Sequence, residues 1–230
     1  MNVLDKIKGG LIVSCQALEG EPLHSSFIMA RMAKAAMLGG AAGIRANSVQ
    51  DIIEIKRIVD LPVIGIIKID FNDSPVYITP TVAEVDALVQ CGCEIIAADA
   101  TNRVRPNGKT LALFFSEARR KYPNQLFMAD CATYQEGMNA AALGFDLTGT
   151  TLCGYTEESK NHIAPNFEMI SALVRDSGKP VIAEGNIWTT EQLKLAKNCG
   201  VHAAVVGSAI TRPMLITQRF VKVMNGEQKK

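Results

Sequence analysis

The strongest constraint on this chain is a strict alternation. Eight short apolar, β-rich runs lie at residues 11–17, 42–46, 62–68, 94–100, 126–132, 146–152, 180–185 and 202–209, with helical signals between them. The runs are nearly continuous in apolar residues rather than alternating, as expected of strands covered on both faces in a parallel sheet. Capping boxes at Thr81/Glu84, Thr133/Glu136 and Thr189/Gln192 mark helix starts, and Gly144 and Gly200 mark stops. Ile52, Ile55 and Val59 share one helical face, as do Met169 and Leu173.

Strand–helix alternation predicts a parallel α/β fold. A doubly wound sheet would carry a G-x-G-x-x-G turn after its first strand, and none follows residues 11–17. Eight units in 230 residues instead fit a compact (β/α)8 TIM barrel, a fold of about 250 residues. No linker or composition break divides the chain, so one domain over residues 1–230 is expected.

Charge is balanced, with 24 Lys plus Arg against 23 Asp plus Glu, which gives no general attraction to nucleic acid or to an acidic membrane surface. The terminal Lys229-Lys230 pair reads as a frayed end. The mixed, polar residues 1–8 are no signal peptide, and no later run reaches the roughly 18 apolar residues of a membrane span, so a cytoplasmic protein is expected. The six cysteines show no C-x-x-C pairing and there are only three histidines, which predicts small buried thiols rather than a metal site.

Barrel active sites lie at the C-terminal strand ends. Those ends carry Ser14 and Gln16, Arg45, Lys68, Asp99 and Thr101, Asp130, Thr150 and Thr151, Glu184, and Gly207-Ser208. Polar strand ends are ordinary where a chain emerges into solvent. Lys68 and Glu184, however, each follow a run of apolar residues, where a charge is costly unless paired or functional. Gly185, Gly207-Ser208 and Arg212 sit after the seventh and eighth strands, where barrels often hold a phosphate through backbone N–H groups, a helix N-terminus and a cation. A phosphorylated small molecule is therefore the expected ligand.

The third and seventh strands lie opposite each other in a ring of eight. Lys68 and Glu184 could then act on the two faces of one carbon, one removing a proton while the other returns one from behind. Lys68 could instead form a Schiff base or stay a permanent cation beside an enolate.

Gly10-Leu11-Ile12-Val13-Ser14-Cys15-Gln16, Ala42-Gly43-Ile44-Arg45, Ile64-Gly65-Ile66-Ile67-Lys68, Gly149-Thr150-Thr151-Leu152-Cys153-Gly154-Tyr155-Thr156, Ile182-Ala183-Glu184-Gly185 and Val206-Gly207-Ser208-Ala209-Ile210-Thr211-Arg212-Pro213 together resemble the bacterial N-acetylmannosamine-6-phosphate 2-epimerases, in order over about residues 8–223. The resemblance implies a ribulose-phosphate-binding type of barrel. It implies C2 inversion between N-acetylmannosamine 6-phosphate and N-acetylglucosamine 6-phosphate, in sialic acid and N-acetylmannosamine breakdown. It implies no metal, no nucleotide cofactor and a homodimer. It assigns Lys68 and Glu184 to catalysis, Gln16, Arg45, Asp130 and Thr151 to the sugar, and Gly185, Gly207, Ser208 and Arg212 to the phosphate. Ile69, Asn186 and Cys153 depart from residues common in that family. An aldose–ketose isomerase or Schiff-base aldolase on the same scaffold is the enzymatic alternative, and a phosphosugar-binding sensor the non-catalytic one.

Overall fold

A computed structural model describes residues 2–162 and 164–226. Lys229 and Lys230 lie outside the described residues. Eight parallel strands, β1 (Leu11–Cys15), β2 (Gly43–Asn47), β3 (Val63–Ile66), β4 (Ile95–Asp99), β5 (Leu126–Asp130), β6 (Leu147–Gly149), β7 (Val181–Ala183) and β8 (Ala203–Val206), close into a barrel in sequence order. The seam is parallel, with Ile12 opposite Val205. The expected (β/α)8 barrel is the observed fold.

Helix α1 (Val3–Ile7) precedes β1 and sends Ile7 into the barrel's inner cluster. His202 Nε2 lies 2.9 Å from Leu4 O, so α1 closes the N-terminal end. The helices α2 (Ser26–Leu38), α3 (Val49–Ile58), α4 (Val82–Gln90), α5 (Leu111–Lys121), α6 (Tyr134–Leu143), α7 (Phe167–Asp176) and α8 (Thr190–Asn198) follow β1 to β7. After β8 come the single turn α9 (Ser208–Thr211) and α10 (Pro213–Met224). All three capping boxes form, satisfying the free N–H groups at the starts of α4, α6 and α8. None of the described helices is long and apolar enough to cross a membrane.

The pleat sorts the side chains. Ile12, Ile64, Ile66, Ile95, Met128, Leu147, Ile182 and Val205 point inward and pack together. Their neighbours Val13, Ile44, Val63, Ile96, Phe127, Ala129 and Val181 point outward into the larger core beneath the helices. This two-sided burial explains the nearly continuous apolar runs. At Gly149 an added Cβ would lie 2.2 Å from Met128 Cε, so the absent side chain leaves the room that Met128 fills.

Several strands are shorter than the runs suggested. β3 stops at Ile66 because the chain turns back on itself. Ile69 N donates to Tyr77 O (3.0 Å), Thr79 N donates to Ile67 O (2.7 Å), and Lys68 bridges antiparallel to Ile78. β6 stops at Gly149 and β8 at Val206, where Gly207 turns the chain into α9. Of the cysteines, Cys15, Cys93, Cys131 and Cys153 are buried as expected, but Cys91 and Cys199 are only half-buried.

In the outer core Phe115 of α5 stacks on Phe145 (centroids 3.9 Å apart) and meets Phe127 edge-on at 5.6 Å. Truncation there removes contacts that a rigid barrel wall cannot collapse to replace. Phe115→Ala is expected to lower the unfolding free energy by about 3–5 kcal/mol, read from urea titration; a loss below about 1 kcal/mol would mean that the wall does relax.

Candidate active site

A cavity of about 200 Å³ opens at the C-terminal ends of the strands. Nine of the ten residues singled out from the sequence line it: Gln16, Arg45, Lys68, Thr151, Glu184, Gly185, Gly207, Ser208 and Arg212. The pleat explains the convergence. Lys68 continues the inward parity of Ile64 and Ile66, and Glu184 continues that of Ile182. Lys68 N donates to Asn47 Oδ1 (2.8 Å), and Thr150 Oγ1 donates to Glu184 O (2.8 Å) while accepting from Glu184 N (3.1 Å). Both backbones are thus clamped by the strand before them. β3 and β7 stand four apart in the ring, so the two side chains enter from opposite walls.

The tenth residue, Asp130, does not line the cavity. It is fully buried and grips Arg45 through both oxygens, Nη2–Oδ2 at 2.6 Å and Nη1–Oδ1 at 3.1 Å. Asp130 thus lies one layer back and holds a cation that does face the cavity. Arg45 Nη1 also donates to Glu184 Oε2 at 2.9 Å. Thr151 Oγ1 lies 2.6 Å from Asp130 Oδ1 and 3.2 Å from Glu184 Oε2, able to donate to either. On the adjacent strand Asp99 turns instead to Arg103 (2.5 Å), so the side-by-side carboxylates of β4 and β5 each have their own arginine.

These contacts set the titration of the pair. Burial raises the Glu184 carboxyl to about 7, with Arg45 opposing and Asp130 reinforcing. Burial lowers the Lys68 ammonium to about 8, helped by Arg45 and Arg212 and opposed by Glu184 and Asp130. Burial also disfavours the Arg45 cation, but Asp130 and Glu184 outweigh it and keep the guanidinium charged. Lys68 makes no salt bridge among the described residues, which leaves its nitrogen for chemistry.

At the rim, Gly185 adopts φ +101, and a Cβ there would meet Thr150 O at 3.2 Å. Gly207 lets α9 close against β1, since a Cβ would meet Ser14 Cβ at 3.2 Å. Thr211 Oγ1 then donates to Ser14 O at 2.7 Å, tying the turn down. Arg212 stands beside this turn and pairs with Glu21 at 3.3 Å. The arrangement combines an N-terminal helical turn with a cation, which suits an anionic group. Among the described residues no group of three or more His, Cys, Asp or Glu is placed to hold a metal.

A family model described as "Putative N-acetylmannosamine-6-phosphate epimerase" matches residues 29–226. The chain belongs to this family. A relative in Clostridioides difficile (strain 630) is 56% identical over 222 residues, covering 96% of this chain and 99% of the relative. Another in Enterobacter sp. (strain 638) is 57% identical over 221 residues, covering 95% and 94%. Both carry the name N-acetylmannosamine-6-phosphate 2-epimerase, qualified as putative. The solved structure of the Clostridium perfringens N-acetylmannosamine-6-phosphate 2-epimerase superposes with a TM-score of 0.93 at 53% identity, covering 97% of this chain and 96% of that one. A thiamine phosphate pyrophosphorylase from Pyrococcus furiosus, at TM-score 0.63 and 16% identity, shares the fold alone.

The three departures from common epimerase residues fall in different places. Ile69 is exposed on the turn after Lys68, and Cys153 is buried in the outer core. Asn186 lines the cavity with φ +56 and accepts a hydrogen bond from Tyr155 Oη at 3.2 Å. Among the lining residues not singled out from the sequence are Tyr77, Tyr155 and Trp188. Tyr77 comes from the hairpin after β3, whose signal was the turn-forming Asn72-Asp73-Ser74-Pro75 between β-branched residues.

Removing Arg45 would leave Asp130 buried without its cation. Arg45→Met is expected to cost about 3–5 kcal/mol in urea unfolding, and replacing Asp130 by Leu in the same chain should recover much of it. Equal stability of Arg45→Met and the native chain would show that the triad carries no structural weight.

Proposed function

We propose that this protein, an isomerase by its family, interconverts N-acetylmannosamine 6-phosphate and N-acetylglucosamine 6-phosphate by inverting C2. The observation that carries the reading is the placement of Lys68 and Glu184 on opposite walls of one small cavity whose rim offers Arg212 and the α9 turn to a phosphate.

The chemistry follows from the substrate. Opening the sugar ring makes C1 an aldehyde, which acidifies the hydrogen on C2 by delocalising the resulting charge. One group removes that proton and the other delivers one to the opposite face, inverting the centre. Gln16 and Thr151 supply polar contacts to the sugar. Gln16 Oε1 is buried without a protein partner while Gln16 Nε2 donates to Ser14 Oγ at 2.8 Å, so the free oxygen suits a substrate N–H or O–H. Arg45 aims Glu184. Gly185, Gly207, Ser208 and Arg212 hold the phosphate. The one-domain barrel acts as a homodimer in the cytoplasm, and the reaction serves sialic acid and N-acetylmannosamine degradation.

Incubation with N-acetylmannosamine 6-phosphate in deuterated water, followed by proton NMR, is expected to place deuterium at C2 of the N-acetylglucosamine 6-phosphate formed. Product without solvent deuterium would sink exchange through Lys68 and Glu184. Glu184→Gln and Lys68→Met should each lower kcat by at least about 100-fold while phosphosugar still binds. Borohydride trapping of Lys68 with substrate would favour a Schiff base instead.

The pair works with one proton between its two members. Ammonium plus carboxylate starts from one epimer, and amine plus carboxylic acid starts from the other. Both states carry the same number of protons, so activity tracks the singly protonated form of the pair. kcat/KM is expected to be bell-shaped in each direction, falling below about 7 as Glu184 gains a proton and above about 8 as Lys68 loses one. A profile that lacks the acid limb or the alkaline limb would mean that Glu184 or Lys68, respectively, does not carry the shared proton.

A further inference from the structure

The turn between α4 and β4, at the end of the barrel away from the cavity, carries Cys91-Gly92-Cys93. Both thiols reach the same carbonyl: Leu88 O lies 3.2 Å from Cys91 Sγ and 3.3 Å from Cys93 Sγ. The two are unequally placed. Cys91 is half-buried beside exposed Gly92, whereas Cys93 is 4% exposed beneath it. The adjacent Cys93 thiol, with Lys56 nearby, lowers the Cys91 thiol to about 7 against the opposing effect of burial. The neighbouring Cys91 thiol and burial hold the Cys93 thiol well above its ordinary range. Lys56 itself pairs with Glu94 at 2.5 Å, which fixes a cation beside the turn.

The other cysteines lack this arrangement. Cys15, Cys131 and Cys153 are buried, and burial raises each thiol. Cys199 is half-buried, with its sulfur against the carbonyls of Leu195 (3.3 Å) and Phe167 (3.7 Å). Reactive cysteines are accessible thiolates in an electropositive setting with a second thiol at hand, and only the Cys91 turn combines these among the described residues.

We infer that Cys91 and Cys93 form a peroxide-reactive dithiol that closes to an intrachain disulfide and in doing so loosens the wall behind β3. In the first step the Cys91 thiolate attacks hydrogen peroxide; the O–O bond breaks, hydroxide leaves and Cys91 becomes a sulfenic acid. In the second the Cys93 sulfur attacks that of Cys91; the S–S bond forms, the S–O bond breaks, and the leaving hydroxide takes the Cys93 proton as water. The two sulfurs together lose two electrons and the peroxide gains them.

The link to β3 is steric. Gly65 has no side chain because Cys93 occupies that space: a Cβ there would lie 2.8 Å from Cys93 Sγ and 3.0 Å from both Ile52 Cδ1 and Leu88 Cδ2. Turning Cys93 Sγ toward Cys91 withdraws it from this contact. The ring closed by such a bridge is very short, so the gain from restraining the unfolded chain is small and does not offset the lost packing.

The test treats the purified protein with hydrogen peroxide and reads the tryptic peptide spanning residues 69–103, which contains both cysteines. The expected peptide is two hydrogens lighter, takes up no iodoacetamide, and regains both properties with dithiothreitol. The rate of oxidation should rise with pH through about 7, as the thiolate of Cys91 forms. The melting temperature should fall by a few degrees on oxidation and recover on reduction. Cys93→Ser should accumulate a dimedone-trapped sulfenic acid at Cys91. Cys91→Ser, which keeps a donor for Leu88 O at this half-buried position, should show neither the mass change nor the melting shift, and Cys199→Ser should keep both. A peptide that stays fully alkylatable, or that goes to sulfinic acid without a bridge, overturns the dithiol. A bridge that leaves the melting temperature unchanged overturns its coupling to β3.

Discussion

The upper half of this barrel depends on one buried guanidinium. Arg45 is 1% exposed, a position where a cation persists only if fixed anions replace water. Asp130 supplies a two-point grip, and Glu184 takes the same Nη1 from the side. Burial raises the Glu184 carboxyl to about 7, and Arg45, shared with Asp130, offsets that only in part. Burial brings that carboxyl into the range useful for proton transfer, and the interaction that keeps the barrel interior folded at this level stops it from rising further. Met128 adapts the apolar layer below to this charge, its sulfur lying 4.0 Å from Arg45 Nη1 in space that Gly149 leaves open.

The two ends of the barrel therefore do different work. Below, α1 and the inward isoleucines close an apolar plug with no polar demand. Above, the inward positions include Arg45, Lys68, Thr151 and Glu184, and the backbones of Lys68 and Glu184 are held by side chains from the preceding strand segments. Gly185 and Gly207 belong to this logic: one bends into a conformation that a side chain would strain, and the other lets α9 approach β1. The rigidity of the rim comes from these close backbone approaches rather than from buried apolar area.

The eight-unit pattern was readable because burial on both faces makes parallel strands apolar throughout, and because three threonine capping boxes punctuate the helices. The inward set was readable by parity once strand ends were marked, since Lys68 and Glu184 fall in step with Ile66 and Ile182. Asp130 is in step too, yet it stops short of the cavity. Parity gives direction but not depth, and depth depends on Arg45 reaching in from a distant strand. The hairpin at 67–79 escaped for a different reason. Its strands are single bridges whose pairing is set by tertiary contact with the barrel mouth, so Tyr77 had no local period to reveal it. Pairing of Arg45 with Glu184 links residues 139 positions apart, and no local sequence signal encodes it.

A reversible inversion makes a demand that one-way acid–base catalysis does not. If the base and acid differed widely in affinity for the proton, one direction would start from an abundant state and the other from a rare one. Burial and neighbouring charges bring Glu184 up to about 7 and Lys68 down to about 8, so the two placements of the shared proton lie close in free energy. Their surroundings produce this convergence by opposite means. Burial acts on both, pushing a carboxyl up and an ammonium down, while Arg45 holds the first from rising further and presses the second lower. A single buried cation thereby restrains one partner and destabilises the other's charge. On the proposed mechanism, that is why Arg45 sits between the two walls instead of serving either alone.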